Sequence, residues 1–120
     1  MYISEHDKTV IRQVTEKQLQ AFQQDDAVTA FSLTSPAIQQ KFENPENFMA
    51  MVKAKYQAVY CPRSVMFRGF TTIDDYPARV AMVMGQDGNL VQAVYIMQHQ
   101  RDRTWRIHGY YLVPVDEKII

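Results

Sequence analysis

The chain has 120 residues, which fits a single domain spanning residues 1–120. Its 13 basic residues balance 13 acidic ones, which argues against nucleic acid or an anionic membrane surface as the main partner, because both normally select an excess of Lys and Arg. The single cysteine, Cys61, excludes an internal disulfide and a multi-cysteine metal site, and no apolar run approaches the roughly 20 residues of a membrane span. The first seven residues contain neither the basic nor the apolar region of a signal peptide. A cytoplasmic location is therefore expected by default, although a leader already removed would leave the same sequence.

The first half of the chain has a helical pattern. Ser4 followed by Asp7 is a weak relative of the capping box and predicts the start of a first helix. This long helix is predicted to run to about Gln24, because its apolar residues recur at helical spacing around Gln18. Three further helix starts are predicted where a capping side chain precedes a helix-compatible run: at Asp25 or Asp26, at Ser35-Pro36 and at Asn44-Pro45.

The second half alternates as strands do, from Ser64 to about Asp74 and then as a three-stranded meander from Tyr76 to Pro114. Asp87-Gly88 predicts a two-residue hairpin turn, and Arg101-Asp102-Arg103 marks the next turn. Helices followed by an antiparallel sheet indicate an α+β fold, with the helices packed on one face of the sheet.

The predicted register determines which side chains share a sheet face. A two-residue turn pairs Met84 with Val91, Met82 with Ala93, and Val80 with Tyr95. If Gln100 pairs with Trp105, then His99 faces Arg106, Met97 faces His108, and Tyr95 faces Tyr110. A slip of one residue at the second turn would exchange the faces of the last strand, so this assignment depends on how that turn is formed.

The opposite face is also apolar, and the helices can cover only one side of the sheet. We therefore expect a homodimer through the outer face. The residues assigned to this interface are Val94, Ile96, Trp105, Ile107 and Tyr111.

Several segments along the chain form a recognisable set: Gln18-Leu19-Gln20-Ala21-Phe22, Thr34-Ser35-Pro36, Pro62-Arg63 and Trp105-Arg106-Ile107-His108-Gly109. Over nearly the whole chain, this set resembles the family of domain of unknown function 4864. That resemblance implies the nuclear transport factor 2-like (cystatin-like) superfamily, whose cone-shaped fold curls a sheet around its helices to leave a pocket. The superfamily includes steroid delta-isomerase and scytalone dehydratase as well as non-catalytic transport and oligomerisation domains, so the fold does not decide the function.

A polar and aromatic cluster on the predicted inner face is the candidate ligand site. Its side chains supply donors and acceptors suited to a small amphipathic or anionic molecule such as a carboxylate. The alternative is that the histidine and arginine near the turn are solvated while the tyrosines and the glutamine are hydrogen-bonded core residues. The candidate ligand-binding residues are Gln18, Tyr95, His99, Arg106, His108 and Tyr110.

No catalytic, cofactor or metal site is predicted. Asp74 and Asp75 precede Tyr76-Pro77 in a turn, where Asp is favoured because its side chain bonds nearby backbone N–H groups. The three histidines lack zinc-type spacing, and nothing in the sequence supplies Cys61 with a base. The sequence therefore favours a small-molecule-binding or sensing domain. A dimerisation or adaptor module with a filled cavity is the first alternative, and an isomerase or dehydratase, which needs a positioned base, is the second.

Overall fold

The computed structural model describes residues 3–115, so residues 1–2 and 116–120 of the predicted domain lie outside it. Its architecture is α+β, with helices at the N-terminal side and an antiparallel sheet after them, as the sequence predicts. The elements are α1 (Glu5–Gln23), α2 (Ala27–Ser32), α3 (Pro36–Phe42), α4 (Pro45–Lys55), α5 (Gln57–Tyr60), β1 (Ser64–Ile73), β2 (Tyr76–Met84), β3 (Leu90–His99) and β4 (Trp105–Pro114).

The helix starts follow the predicted capping chemistry. Ser4 and Asp7 form a reciprocal capping box at α1, with both hydrogen bonds 3.0 Å long. Asp26, Ser35 and Asn44 each accept a hydrogen bond from a backbone N–H of the following first turn. The predicted starts of the first four helices are therefore confirmed, and each depends on a local interaction.

The four strands lie in the order β1-β2-β3-β4, which leaves β4 at an edge. Part of that edge is covered by the segment between α2 and α3. The Ser35 N–H donates to the Ile107 carbonyl at 2.9 Å, and the Ile107 N–H donates to the Leu33 carbonyl at 2.8 Å. The α2–α3 connection is thus attached to β4 by backbone hydrogen bonds.

The first hairpin of the meander differs from the prediction. Gly85 and Asn89 close a three-residue loop, with the Gly85 N–H donating to the Asn89 carbonyl at 2.9 Å. Gly88 has φ +83°, the left-handed conformation that completes such a loop. The predicted two-residue turn is therefore wrong, and every β2–β3 pair shifts by one position. The observed pairs are Met84 with Leu90, Met82 with Gln92, Val80 with Val94, and Arg79 with Tyr95.

The second hairpin has the same type of loop. Gln100 and Thr104 close it, and Arg103 takes the left-handed position at φ +70°. The predicted pairs of His99 with Arg106 and Met97 with His108 are consequently wrong. The structure instead pairs His99 with Trp105, Gln98 with Arg106, and Met97 with Ile107.

A bulge in β4 then restores the predicted register. Between the Met97–Ile107 pair and the Ile96–Gly109 pair, β4 carries one extra residue, His108. Beyond this bulge Tyr95 pairs with Tyr110, as the sequence predicts. The two sections of β4 therefore follow different registers.

These registers correct two assignments to the sheet faces. Trp105 and Ile107 are 4% and 1% exposed and belong to the core beneath the helices, so they cannot form the outer surface predicted for them. Met82 and Met84 lie instead on the outer face. They alternate with Val80 on the same side of β2, and Val80 pairs with Val94 of the outer face. The remaining predicted outer residues, Val94, Ile96 and Tyr111, do lie on that face.

The strain at Arg103 allows a test of this hairpin. A left-handed conformation costs a non-glycine residue about 1–2 kcal/mol, whereas glycine adopts it freely at an entropic cost of about 0.5–1 kcal/mol. We expect Arg103→Gly to raise the free energy of unfolding by about 0.5 kcal/mol in urea denaturation. Arg101→Gly, in the same exposed turn but without positive φ, should lower it. Equal effects of the two substitutions would contradict the assigned loop.

Candidate functional site

A cleft of about 390 Å³ lies between α3, α4 and the edge of β4. The cleft adjoins the edge pairing between β4 and residues 33–35, because Thr34 and Ile107 belong to that pairing and also line the cleft. The lining residues from the helical half are Thr34, Ile38, Lys41, Phe42, Phe48, Met51, Lys55 and Tyr56. Those from the sheet are Ile96, Ile107, His108, Gly109, Tyr110 and Tyr111.

The cleft walls are mainly apolar and aromatic. Phe42 packs edge-on against Phe48 with ring centroids 5.8 Å apart, and Tyr56 contacts Tyr110 at 5.4 Å. Lys41 and Lys55 are the charged lining residues, and no Asp or Glu lines the cleft among residues 3–115. The cleft therefore combines a hydrophobic wall with positive formal charge.

His108 lies at the bulge and lines the cleft. Its Nδ1 is 2.7 Å from the hydroxyl of Ser35, a fully buried residue, and its ring contacts Tyr76 at 5.1 Å. The bulge explains this placement, because the extra residue is released from the regular alternation of the strand.

Tyr110 connects the cleft to the protein interior. It lines the cleft, and its hydroxyl donates to the amide oxygen of Gln18, which is fully buried. The Gln18 amide nitrogen in turn donates to the Ala30 carbonyl at 3.0 Å. Gln18 is thus hydrogen-bonded on both sides and lies behind the cleft wall. Burial raises the pKa of Tyr110 well above its ordinary value, so its hydroxyl stays protonated as a donor.

Tyr95 is fully buried behind Tyr110, with ring centroids 5.6 Å apart in an edge-to-face arrangement. Its hydroxyl has no hydrogen-bond partner among residues 3–115. Burial also raises the pKa of Tyr95 far above its ordinary value, with the nearby Arg79 charge opposing the shift. Tyr95 supports Tyr110 and does not itself line the cleft.

The other two predicted site residues lie away from the cleft lining. His99 stacks on Trp105 with centroids 4.5 Å apart, and its Nε2 is 3.3 Å from the Arg103 carbonyl. Arg106 donates to the carbonyls of Ser32 and Thr34 at 3.0 and 3.2 Å, which anchors the edge segment. Of the six predicted residues, His108 and Tyr110 line the cleft, Gln18 and Tyr95 stand behind it, and His99 and Arg106 serve the hairpin and the edge.

Sequence reasoning missed Arg79, which is 6% exposed. Its guanidinium lies 3.5 Å from the ring centroid of Phe67, and it donates to the Thr15 hydroxyl at 2.6 Å and to Glu16 at 3.2 Å. Burial lowers the pKa of Arg79, while the Glu16 carboxylate opposes that shift. A three-residue first turn would have revealed Arg79, because it places this residue opposite Tyr95 on the inner face. Lys41 and Lys55 carry no comparable signal, because helical spacing alone does not show which exposed lysines border a cleft.

The remaining titratable candidates occupy structural positions. Asp74 and Asp75 are exposed and have φ +49° and +68°, which makes them the two central residues of the β1–β2 turn. Cys61 is exposed, and the Gln86 amide lies 3.7 Å from its sulfur. No group of three potential metal ligands occurs within residues 3–115. In the same part of the chain, no helix has both the length and the apolar character needed to cross a membrane.

The contact between Tyr110 and Gln18 can be tested by removing one hydroxyl. Tyr110→Phe leaves a buried amide oxygen without its donor, so we expect the free energy of unfolding to fall by about 1–3 kcal/mol in urea denaturation. The matched control is Tyr111→Phe, because Tyr111 is the exposed neighbour on the opposite face. Its effect should stay within about 0.5 kcal/mol. Indistinguishable stabilities of the two variants would contradict a buried hydrogen bond at Tyr110.

Comparison with known proteins gives a family assignment without an activity. No curated protein and no solved structure is significantly similar to the chain. The family model described as Domain of unknown function (DUF4864) matches residues 4–120. This match covers the helices, all four strands and every residue of the cleft. The chain therefore belongs to the DUF4864 family.

Proposed function

We propose that this protein binds a small amphipathic anion in the cleft between α3, α4 and β4. The proposal rests on the kinds of residue that line this cleft. About 390 Å³ of space is bounded by aromatic and aliphatic side chains, and its formal charges are the two lysines. Ligand sites are typically concave and mainly apolar, with a few polar groups that fix the orientation of the ligand.

The charge of the cleft favours an anion over a cation. Lys41 and Lys55 lie in the last turns of α3 and α4, both exposed. Neither forms a salt bridge within residues 3–115, in contrast to Lys53, whose ammonium lies 3.2 Å from Asp25. A carboxylate entering the cleft therefore meets cations that no described acidic side chain neutralises, while the ligand's apolar body contacts Phe42, Phe48 and Met51.

Binding without catalysis is favoured over an isomerase or dehydratase. Proton abstraction needs a positioned general base, most often a histidine or a carboxylate. The described cleft lining contains no carboxylate, and Nδ1 of its one histidine, His108, is already engaged 2.7 Å from the Ser35 hydroxyl. The adaptor alternative requires closely packed side chains where the cleft lies. The open volume therefore supports a binding function over the adaptor alternative.

We also infer membership of the nuclear transport factor 2-like superfamily. Its support is the arrangement of helices on one face of an antiparallel sheet, with bulges in β1 and β4 that bend the strands. A pocket between the helices and such a sheet is the feature shared with that superfamily.

The binding proposal is tested with 4-phenylbutyrate, a probe that has an aromatic body and one carboxylate. We expect it to raise the thermal midpoint of the wild type and to bind in calorimetry. Lys41→Gln with Lys55→Gln should weaken binding about tenfold, roughly 1.4 kcal/mol. Lys17→Gln with Arg68→Gln changes net charge equally at exposed positions outside the cleft, so affinity should be unchanged.

A second variant tests the location. Met51→Trp places a larger ring in the cleft and should abolish binding while the protein stays folded. Absence of binding to the wild type, or undiminished binding to Met51→Trp, would contradict the proposed cleft.

We further propose that the outer face joins two copies of the chain. Two pair rows on this face contain no charged residue. Met66, Met82, Gln92 and Val113 form one across the four strands, and Val80, Val94 and Tyr111 form the other across β2, β3 and β4. Met66, Tyr111 and Val113 are 63%, 49% and 49% exposed, so the patch includes large accessible apolar groups. A second copy presents the same uncharged rows, so isologous pairing of these rows brings no like charges together.

Light scattering on a sizing column tests this dimer. The wild type should have twice the chain mass at micromolar protein, and Tyr111→Lys should shift it to the monomer. Val28→Lys is the matched control, because Val28 is 66% exposed on α2, away from the sheet. A monomeric wild type would refute the dimer, and a dimeric Tyr111→Lys variant would refute this surface.

A further inference from the structure

The hydroxyl of Ser35 must both accept and donate a hydrogen bond. Ser35 is fully buried, and as the N-cap of α3 it accepts from the Ile38 N–H at 3.4 Å. Its own proton then needs an acceptor, because a buried hydroxyl cannot give that proton to solvent. Within residues 3–115, the acceptor in reach is Nδ1 of His108, 2.7 Å away.

This requirement favours one tautomer of His108. If Ser35 donates to Nδ1, that nitrogen supplies its lone pair, and the proton of the neutral ring must lie on Nε2. Further contacts hold both Ser35 and His108 in this arrangement. The Ser35 N–H is bonded to the Ile107 carbonyl at 2.9 Å, and the His108 ring rests against Tyr76.

We propose that His108 offers its Nε2–H to the cleft as the donor that recognises an acceptor oxygen of the ligand. The inference rests on the proposed function, because it concerns the same cleft. His108 lines the cleft, and Nε2 has no partner within residues 3–115. The lysines supply long-range attraction for an anion, whereas the imidazole N–H supplies a directional contact with a carbonyl or carboxylate oxygen.

The same tautomer determines what His108 does not do. With its proton on Nε2 and its Nδ1 lone pair engaged by Ser35, the ring has no free lone pair toward the cleft. It therefore cannot abstract a proton there, and its role is to bind and orient the ligand. Ser35 acts as a positioning residue, because it lies fully buried behind the histidine.

Nitrogen-15 spectroscopy of the full chain tests the tautomer directly. Long-range proton–nitrogen correlations of His108 should show the Nε2–H pattern in the wild type. Ser35→Thr keeps a hydroxyl at the helix cap and should keep this pattern, whereas Ser35→Ala should give a mixture of tautomers. An Nδ1–H pattern in the wild type, or an unchanged pattern in Ser35→Ala, would overturn the assignment.

A pair of probes separates the imidazole from the lysines. 4-Phenylbutyrate carries both charge and acceptor oxygens, whereas its methyl ester keeps the acceptor and loses the charge. His108→Phe should weaken binding of both probes about tenfold, because it removes a donor while keeping an aromatic ring. Lys41→Gln with Lys55→Gln should weaken binding of the carboxylate alone.

The outcomes distinguish this inference from the proposed function. If both probes bind the wild type and His108→Phe equally well, the cleft binds ligands but His108 does not recognise them, which overturns the inference alone. If neither probe binds the wild type, the cleft proposal fails, and with it the recognition role of His108. Thermal midpoints of each variant confirm that any loss of binding occurs in folded protein.

Discussion

The extra residue in β4 is the constraint on which the site depends. Before the bulge, Trp105 and Ile107 point into the core, and after it Tyr110 does. Ile107 and Tyr110 are three positions apart, so the regular alternation of a strand would place them on opposite faces. The intervening His108 is thereby released toward Ser35 and the cleft. One bulge thus allows residues on both sides of it to contribute to the core, and it places the imidazole of His108 at the cleft.

Beneath that strand, the core contains polar groups that are satisfied by helix α1. Gln18 bonds both Tyr110 and the Ala30 carbonyl, while Thr15 accepts from Arg79 and donates to the Ile11 carbonyl at 2.9 Å. Unpaired polar groups in a core are costly, so these bonds fix the position of α1 over β2 and β4 more narrowly than apolar contact could. The rear wall of the cleft is therefore held by hydrogen bonds as well as by apolar packing.

Cationic side chains have different surroundings in the core and at the cleft. Arg79 is surrounded by acceptors and by the ring of Phe67, so its charge is compensated inside the protein. Lys41 and Lys55 border a cavity without described acidic neighbours, so their charges remain available to a ligand. This contrast separates a cation neutralised in the core from the two cations that border the proposed binding cleft.

The sequence by itself determined the four strands and every helix except the short α5, because these elements depend on neighbours along the chain, whereas α5 has no side-chain cap. Ser4, Asp26, Ser35 and Asn44 cap helices within three residues of themselves, and alternation marks the strands. It also identified Gln18, His108 and Tyr110 as polar groups near one surface. Only the tertiary structure decided the pairing. Both turns use a third residue in a left-handed conformation, at Gly88 and Arg103, and an arginine in that position gives no sequence signal. Each such residue shifts the register by one and exchanges the faces, so Trp105, Ile107 and Arg79 could be placed inside only once the strands were seen side by side.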